Sequence, residues 1–556
     1  FNSIQFNSIQ FNSIQFNSIQ FNSIQSHNFK FYFFINSCNF FNILCLLFRH
    51  LFFNLLFSNF SNSKISKNWK IAFLFSKMLF NKKFNFMEEI MSQKTTKRVF
   101  TRKSKLFLIL ASMILALSCK NPLGDEIGGS GGAGGGGSGG GQTITNAQGK
   151  VFPAWYLTEQ QQQQDFSMGP TILFQSTKAP TQHYRIPAII VADNGNIIAI
   201  ADNRYNHGGD IGAVKGLIDV VYKISRDGGK NWSDEKIMGN RSTDHNYSKA
   251  LNKGDALVFR ANDGTLVCMA VSGGGFANAT VSTPSRMLRS ESKDNGETWS
   301  DWKEVGQSLI DKIKNSFGKG IPKAFAPAGR GLTLKDGTFA AAMIGQVKNG
   351  GFYGLYIYST DKGLNWNCAD NFIASTGGHG SWNEPKVIAE LNDGKLLMSV
   401  RNGMSTANKN DPRMYAVSTD APVNGKCAWP NSLSAWTLIR CGGVDAEGVV
   451  WTREGEQDKN RMLHIQAGPY GRHGLKLFLS TEEGKTDNSW TEAKVILGGQ
   501  TGASYSSLDV CGDGTIVTLA EEKSKTGQHY DIVFRRYNMK AITQEVYKTK
   551  WYKEVK

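Results

Sequence analysis

Eight polar residues of this chain stand where an apolar run begins or ends. Arg185 opens one such run, Arg204 and Asp210 follow NIIAIADN, and Glu384 precedes PKVIAEL. Arg401 ends KLLMSV, Arg472 precedes LKLFLS, Tyr505 precedes SSLDV, and Glu521 ends TIVTLA. Guanidiniums fix carboxylates through charge-assisted, partly bidentate bonds. A phenol becomes a nucleophile when a neighbouring carboxylate takes its proton, and a carboxyl group can pass a proton to a leaving oxygen. Gathered in one place, these types suit acid–base and nucleophilic work on an anionic substrate. Residues 185 and 521 are far apart in the chain, so only a fold that brings many strand ends together could gather them.

The turns between the runs point to such a fold. SRDGGKNW at 225–232, SKDNGETW at 292–299 and STDKGLNW at 359–366 all fit S-x-D-x-G-x-x-W, and their starts lie 67 and 67 residues apart. Two worn copies, STDAPVNGKCAW from Ser418 and STEEGKTDNSW from Ser480, follow a further 59 and 62 residues on. In such a turn the Asp accepts backbone N–H bonds, the Gly supplies a positive φ, and the Trp caps the apolar layer between sheets. These are folding devices, and non-enzymes can carry them as well. Between them, apolar runs are joined by Asn194-Gly195, Asp263-Gly264, Asp336-Gly337, Asp393-Gly394 and Asp513-Gly514, which are hairpin signals. Units of roughly 60 to 65 residues over residues 170–545 predict an all-β, six-bladed β-propeller of four-stranded antiparallel sheets, whose inner strands end in a shared central depression. The best helical segment is 307–317.

The chain ahead of residue 170 reads differently. FNSIQ five times over and a Phe/Asn/Ser/Ile/Lys-rich stretch suggest that residues 1–90 are translated upstream sequence, with Met87 or Met91 as the start. Residues 91–118 have a basic stretch, an apolar run and a small residue before Cys119, the pattern of a secretion signal. Leu115-Ala116-Leu117-Ser118-Cys119 is similar to a bacterial lipobox, which implies a lipid on Cys119; an ordinary signal peptide with an incidental Cys is the alternative. The Gly/Ser tract at 128–141, within the linker 119–169, would be a flexible tether. The expectation is a domain held at the bacterial cell surface or in the periplasm, touching membrane through the N-terminal lipid only. Of 63 basic and 46 acidic residues, 14 and 2 lie in residues 1–118, which leaves 49 against 44. With no nucleic-acid-binding pattern in that remainder, nucleic acid is not an expected partner. Cys268, Cys368, Cys427, Cys441 and Cys511 show no C-x-x-C spacing, and His183 and His207 fit no triad or metal spacing, so no metal and no cofactor are expected.

Tyr184-Arg185-Ile186-Pro187 matches the [FY]-R-I-P element of bacterial exo-α-sialidases (neuraminidases) of glycoside hydrolase family 33, and residues 170–545 resemble that family, Asp-box (BNR) repeats included. The resemblance implies that Arg185 binds the sialic acid carboxylate. Through DNRYNHGGD it implies Arg204 as a sugar contact and Asp210 as acid/base. WNEPKVIAELNDGKLLMSVRN implies Glu384 as the carboxylate assisting the nucleophile and Arg401 as a second carboxylate ligand. GPYGRHGLKLFLS suggests Arg472 as the third, and SYSSLDVCGDGTIVTLAEE implies Tyr505 as nucleophile and Glu521 as the carboxylate orienting Arg185. The chain departs from the family at Ala520, where Tyr is usual. Glu522 competes with Glu521; Arg440, Arg453 and Arg461 compete with Arg472; and Asp210, among Gly208, Gly209 and Gly212, would also serve as a plain turn residue.

The implied activity is release of terminal α-linked sialic acid from glycoproteins, glycolipids or oligosaccharides, with retention through a tyrosyl intermediate. A neutral phenol approaches the anomeric carbon beside the substrate carboxylate without charge repulsion, and sialidases are a known tyrosine exception among glycosidases. Transfer of the same intermediate to a sugar, or its intramolecular closure, would use the same residues. A hydrolase of a related sugar acid and a non-catalytic glycan- or protein-binding propeller are the other readings. The last has no use for a nucleophile, base and acid together.

Overall fold

The computed structural model describes residues 142–548 apart from 146–149, 179–180, 214–215, 243–251, 277, 314–322, 347–351, 372, 375–382, 404–410, 470 and 528. The expected secretion signal, the expected lipid site at Cys119 and the whole Gly/Ser tract at 128–141 lie outside the described residues.

Asp-Gly and Asn-Gly turns join neighbouring runs into antiparallel meanders, giving an all-β, propeller-like arrangement of sheets. One sheet runs in order Thr177–Lys178, Thr181–Val191, Ile197–Tyr205, Ile218–Ser225 and Lys236–Ile237. A second holds Gly254–Arg260, Leu266–Gly273, Ser285–Ser292 and Lys303–Val305, with Gly329–Arg330 added in parallel beside Gly254–Arg260. The third is built on Phe339–Gln346 and Phe352–Ser359, and the fourth on Asn383–Glu390, Leu396–Arg401, Asp411–Val417 and Ser434–Cys441. A seven-stranded sheet follows, from Glu447–Thr452 through the 20-residue strand Thr491–Val510 to Tyr530–Tyr537, and Ser167–Phe174 pairs on its outer edge. Uniform four-stranded units therefore do not describe the sheets: connecting segments contribute short extra pairs, and one long strand joins two meanders. The 307–317 segment contains the helix Gln307–Ile313. Among the described residues no helix is long and apolar enough to cross a membrane.

The inner strands are covered on both faces, which explains runs such as NIIAIA. Ile198 and Ile200 pack with Ala256, Val258 and Cys268 of the second sheet, whereas Ile197, Ala199 and Ala201 face Leu519 and Phe534 of the last. Strand alternation sends successive side chains to opposite faces, and here both faces are core.

The repeated turns fold as their residue types dictate. In the second copy Asp294 accepts from Ser292 Oγ at 2.7 Å, from the Thr298 amide at 3.0 Å and from Thr298 Oγ1 at 2.5 Å, while the Gly296 amide donates to Ser292 Oγ at 2.9 Å. The Trp rings reach the preceding sheet: Trp232 meets Phe534 at 5.0 Å, Trp299 meets Tyr222 at 6.3 Å and Trp366 meets Phe259 at 5.9 Å between centroids. Ser292 pairs with Leu266 and Ser285 with Gly273, so this turn lies at one end of its strand pair, roughly 23 Å from the other end at the usual rise per residue. Asp294→Ala is accordingly expected to lower the unfolding free energy by about 1–2 kcal/mol for the lost buttressing bonds. Urea melts read the loss, and any turnover housed at the opposite strand ends should stay within twofold.

Candidate active site

Strand polarity decides what collects at the other end. Arg185 and Glu384 lie near the starts of Thr181–Val191 and Asn383–Glu390; Arg204 and Arg401 lie at or near the ends of Ile197–Tyr205 and Leu396–Arg401. Asp210 follows Arg204 in the next loop, Arg472 immediately precedes His473–Ser480, and Tyr505 and Glu521 belong to Thr491–Val510 and Ile516–Lys523. Three bulges sit here, between Arg185 and Ala188, Asn383 and Pro385, and Ala503 and Ser506. Ile186 (φ 60°) and Glu384 (φ 41°) adopt left-handed backbone directly before a proline. Left-handed backbone at a non-glycine residue costs on the order of 1–3 kcal/mol. Each bulge re-aims consecutive residues of an otherwise alternating strand, so that the Ile186 amide and the Arg185 side chain turn toward the same carboxylate.

That carboxylate is Glu521. It accepts from Arg185 Nε at 2.6 Å, from the Ile186 amide at 2.8 Å and from the Tyr505 amide at 3.2 Å. Glu522 points away and pairs with Arg535, and Ala520 is buried in the core. The Tyr505 hydroxyl donates to Glu384 Oε1 in a short bond. Arg401 Nη1 donates both to Glu384 Oε2 at 2.6 Å and to the Tyr505 hydroxyl at 3.0 Å. Arg185 and Arg472 place their guanidinium carbons 5.5 and 5.4 Å from the centre of the Tyr505 ring. Three guanidiniums thus surround one buried phenol. Arg472 Nε is buried with no hydrogen-bond partner among the described residues. Its rivals Arg453 and Arg461 are committed elsewhere, Arg453 to Asn392 and the Glu390 carbonyl and Arg461 to Asp458 and Glu545.

Arg204 is fully buried and reaches Asp202 at 2.9 Å and Asp210 at 2.6 Å; the Asp210 side chain is 68% exposed. Sequence reasoning missed Asp202, although it stands two residues before Arg204 and so on the same face of the strand. It also missed Asp255, which opens the apolar run ALVF as Arg185 and Glu384 open theirs and whose amide donates to Asp202 at 3.0 Å.

Burial and the neighbouring Glu384 carboxylate push the Tyr505 phenol well above its ordinary range against the pull of Arg401 and Arg472, so it rests protonated. Burial would discharge Arg185 and Arg401, but Glu521 and Glu384 outweigh it and hold both guanidiniums charged. Desolvation raises Asp210, while Arg204, Arg185 and Arg472 together pull harder and leave it below the usual carboxylate range. Burial pushes Asp202 up to about 6 despite Arg204. Among the described residues no group of three or more His, Cys, Asp or Glu side chains could hold a metal ion. The arrangement can hold an anion among guanidiniums, deprotonate a phenol, and exchange a proton with solvent at Asp210.

Residues 212–518 match a protein family described as BNR repeat-like domain. A sialidase of Clostridium perfringens is 30% identical over 244 residues, covering 42% of this chain and 59% of that protein. A sialidase of Micromonospora viridifaciens is 26% identical over 362 residues, covering 61% and 50%. The chain therefore spans between half and three fifths of the length of these relatives. Among solved structures, a sialidase from Streptococcus pneumoniae superposes with a TM-score of 0.52 at 14% identity, covering 68% of this chain and 71% of that one; that likeness concerns the fold.

Proposed function

The chain belongs to the family of BNR repeat-like domains, and from that premise we propose that it is an exo-α-sialidase acting with retention through a tyrosyl intermediate. The observation that carries the reading is the Tyr505 phenol held between the Glu384 carboxylate and the Arg401 guanidinium. Arg185, Arg401 and Arg472 take the substrate carboxylate, which supplies acceptors for the unspent Arg472 Nε. Glu384 removes the phenolic proton as Tyr505 attacks the anomeric carbon, and the bond to the leaving oxygen breaks as Asp210 protonates it. In the second step Asp210 takes a proton from water, water attacks the same carbon, and Tyr505 leaves with the proton returned by Glu384. Two displacements at one carbon give net retention.

Asp210 must be protonated to act as the acid, yet Arg204, Arg185 and Arg472 hold it below the usual carboxylate range. A bound carboxylate offsets that charge, so substrate binding itself raises the Asp210 carboxyl toward its working range. In the same reading the seven-stranded sheet is two blades joined along Thr491–Val510, which with the other four makes six.

The test is hydrolysis of a fluorogenic α-sialoside by residues 142–556, with the first-formed anomer read by NMR and the enzyme trapped by a 2,3-difluoro sugar acid. Expected are the α-anomer and a mass adduct on the peptide bearing Tyr505. A β-anomer or an unlabelled Tyr505 would overturn retention through this residue. Product analysis with lactose present separates hydrolysis from transfer, since the two share every step up to the intermediate.

A further inference from the structure

The carboxyl that must meet the leaving oxygen is the most exposed member of the site, so its position depends on how the loop 206–212 is held. Arg204 Nη1, which binds Asp210, also donates to the Gly208 carbonyl at 3.2 Å. Gly208 has no room for a side chain: a Cβ there would stand 2.6 Å from His529 Nε2 and 2.9 Å from its Cε1. On the far side of the acid a Cβ on Gly212 would come within 2.0 Å of the Gly274 carbonyl oxygen, and Asn278 Nδ2 donates to the Gly212 carbonyl. The loop is therefore wedged between a backbone crossing with the second sheet and one imidazole ring from the last.

That ring is itself anchored to the carboxylate end of the site. His529 lies in the turn between Ile516–Lys523, which carries Glu521, and Tyr530–Tyr537, whose first ring lies 5.3 Å from the Arg185 guanidinium. It meets the His183 ring edge-on at 4.4 Å, and His183 pairs across the strands with Arg204. His529 has φ 30°, an uncommon conformation for a residue with a side chain. We propose that His529 is a positioning residue for the general acid: its ring is the wall against which Gly208 rests, and through the Arg204–Gly208 bond it fixes where Asp210 stands relative to the leaving oxygen. The inference deepens the proposed reaction and rests on Asp210 being its acid.

Leaving-group dependence isolates the role. A sialoside of an acidic phenol departs with little protonation, whereas a sialyl-lactose departs as a sugar hydroxyl and needs the acid fully. His529→Ala is expected to lower kcat on sialyl-lactose by about 10- to 30-fold and on the aryl sialoside by less than about threefold, the same skew as a deeper loss in Asp210→Asn. His529→Phe, which keeps a wall of similar size, should recover most of the sialyl-lactose rate. Equal losses on both substrates, or none, would overturn the proposal. A second readout needs no activity: amide exchange across 206–213 should quicken in His529→Ala while the 225–232 turn keeps its protection. If the wild type turns over neither sialoside, the reaction reading fails on its own, and unchanged exchange at 206–213 would then overturn the wall as well.

Discussion

Tyr505→Phe is expected to lower kcat on a fluorogenic sialoside by about 1000-fold or more, since in the proposed reaction the substitution removes the atom that forms the covalent bond and leaves water to attack unaided. The structure makes this a clean substitution. The ring stays packed between Arg185 and Arg472, and Glu384 keeps its 2.6 Å bond to Arg401. What disappears is the hydroxyl with its two bonds, which sets the stability cost at about 1–2 kcal/mol. Binding of free sialic acid, measured by calorimetry, should change little, because the guanidiniums proposed to hold its carboxylate remain. A variant retaining a tenth of wild-type turnover would exclude Tyr505 as the nucleophile. A variant that also loses sialic acid binding would show that the phenol positions the arginines, and would move the nucleophile elsewhere.

Why these residues stand out in the sequence, and where the sequence falls silent, follow from how strands work. A strand that crosses a two-sided core carries a long apolar run, so a polar residue at the edge of that run stands out; that contrast marks Arg185, Arg204, Glu384, Arg401, Tyr505 and Glu521. The repeated Ser-x-Asp turns set the period because their bonds are local and need nothing from the rest of the chain. Choices that depend on register were not legible. Successive residues of a strand face opposite ways, so Glu521 and Glu522 differ only by which face turns inward, and that is fixed by pairing with Tyr530–Tyr537. The buried group in which Lys386 Nζ stands 2.8 Å from Asp445 and 3.3 Å from Glu447 is likewise a tertiary fact. Lys386 sits inside the PKVIAEL run, and its partners are about 60 residues further along the chain. Sheet outline escaped for a third reason: short edge pairs such as Gly329–Arg330 are made by connecting segments with no apolar pattern of their own.

Arg185→Lys is expected to lower kcat/KM by about 100-fold, with the larger part in KM. A lysine keeps the charge but loses the planar fork, and one charge-assisted bond to a substrate carboxylate plus the bond to Glu521 is worth about 2–3 kcal/mol at 1.4 kcal/mol per decade. The variant also strips Glu521 of its Arg185 partner while that carboxylate stays buried with only the Ile186 and Tyr505 amides. Burial raises Glu521, but Arg185 first, with Arg472 and the Ile186 amide, holds it below the ordinary range. Because its folded-state pKa is depressed, the stabilisation from the pair is present above the unfolded carboxylate pKa and is lost as the pH falls through the folded one. Wild type should therefore lose this pair's stabilisation in acid, and Arg185→Lys, whose lysine keeps the charge but loses the short Nε bond, should show a weaker dependence, read by thermal melts across pH 3 to 7. Glu521→Gln should cost less in kcat/KM than Arg185→Lys, because it loosens the guanidinium without removing it, and the double variant should fall short of the sum of the two. Additive losses would mean that Glu521 serves the substrate separately. Unchanged KM in Arg185→Lys would take this arginine out of the carboxylate site and leave Arg401 and Arg472 to hold the anion alone.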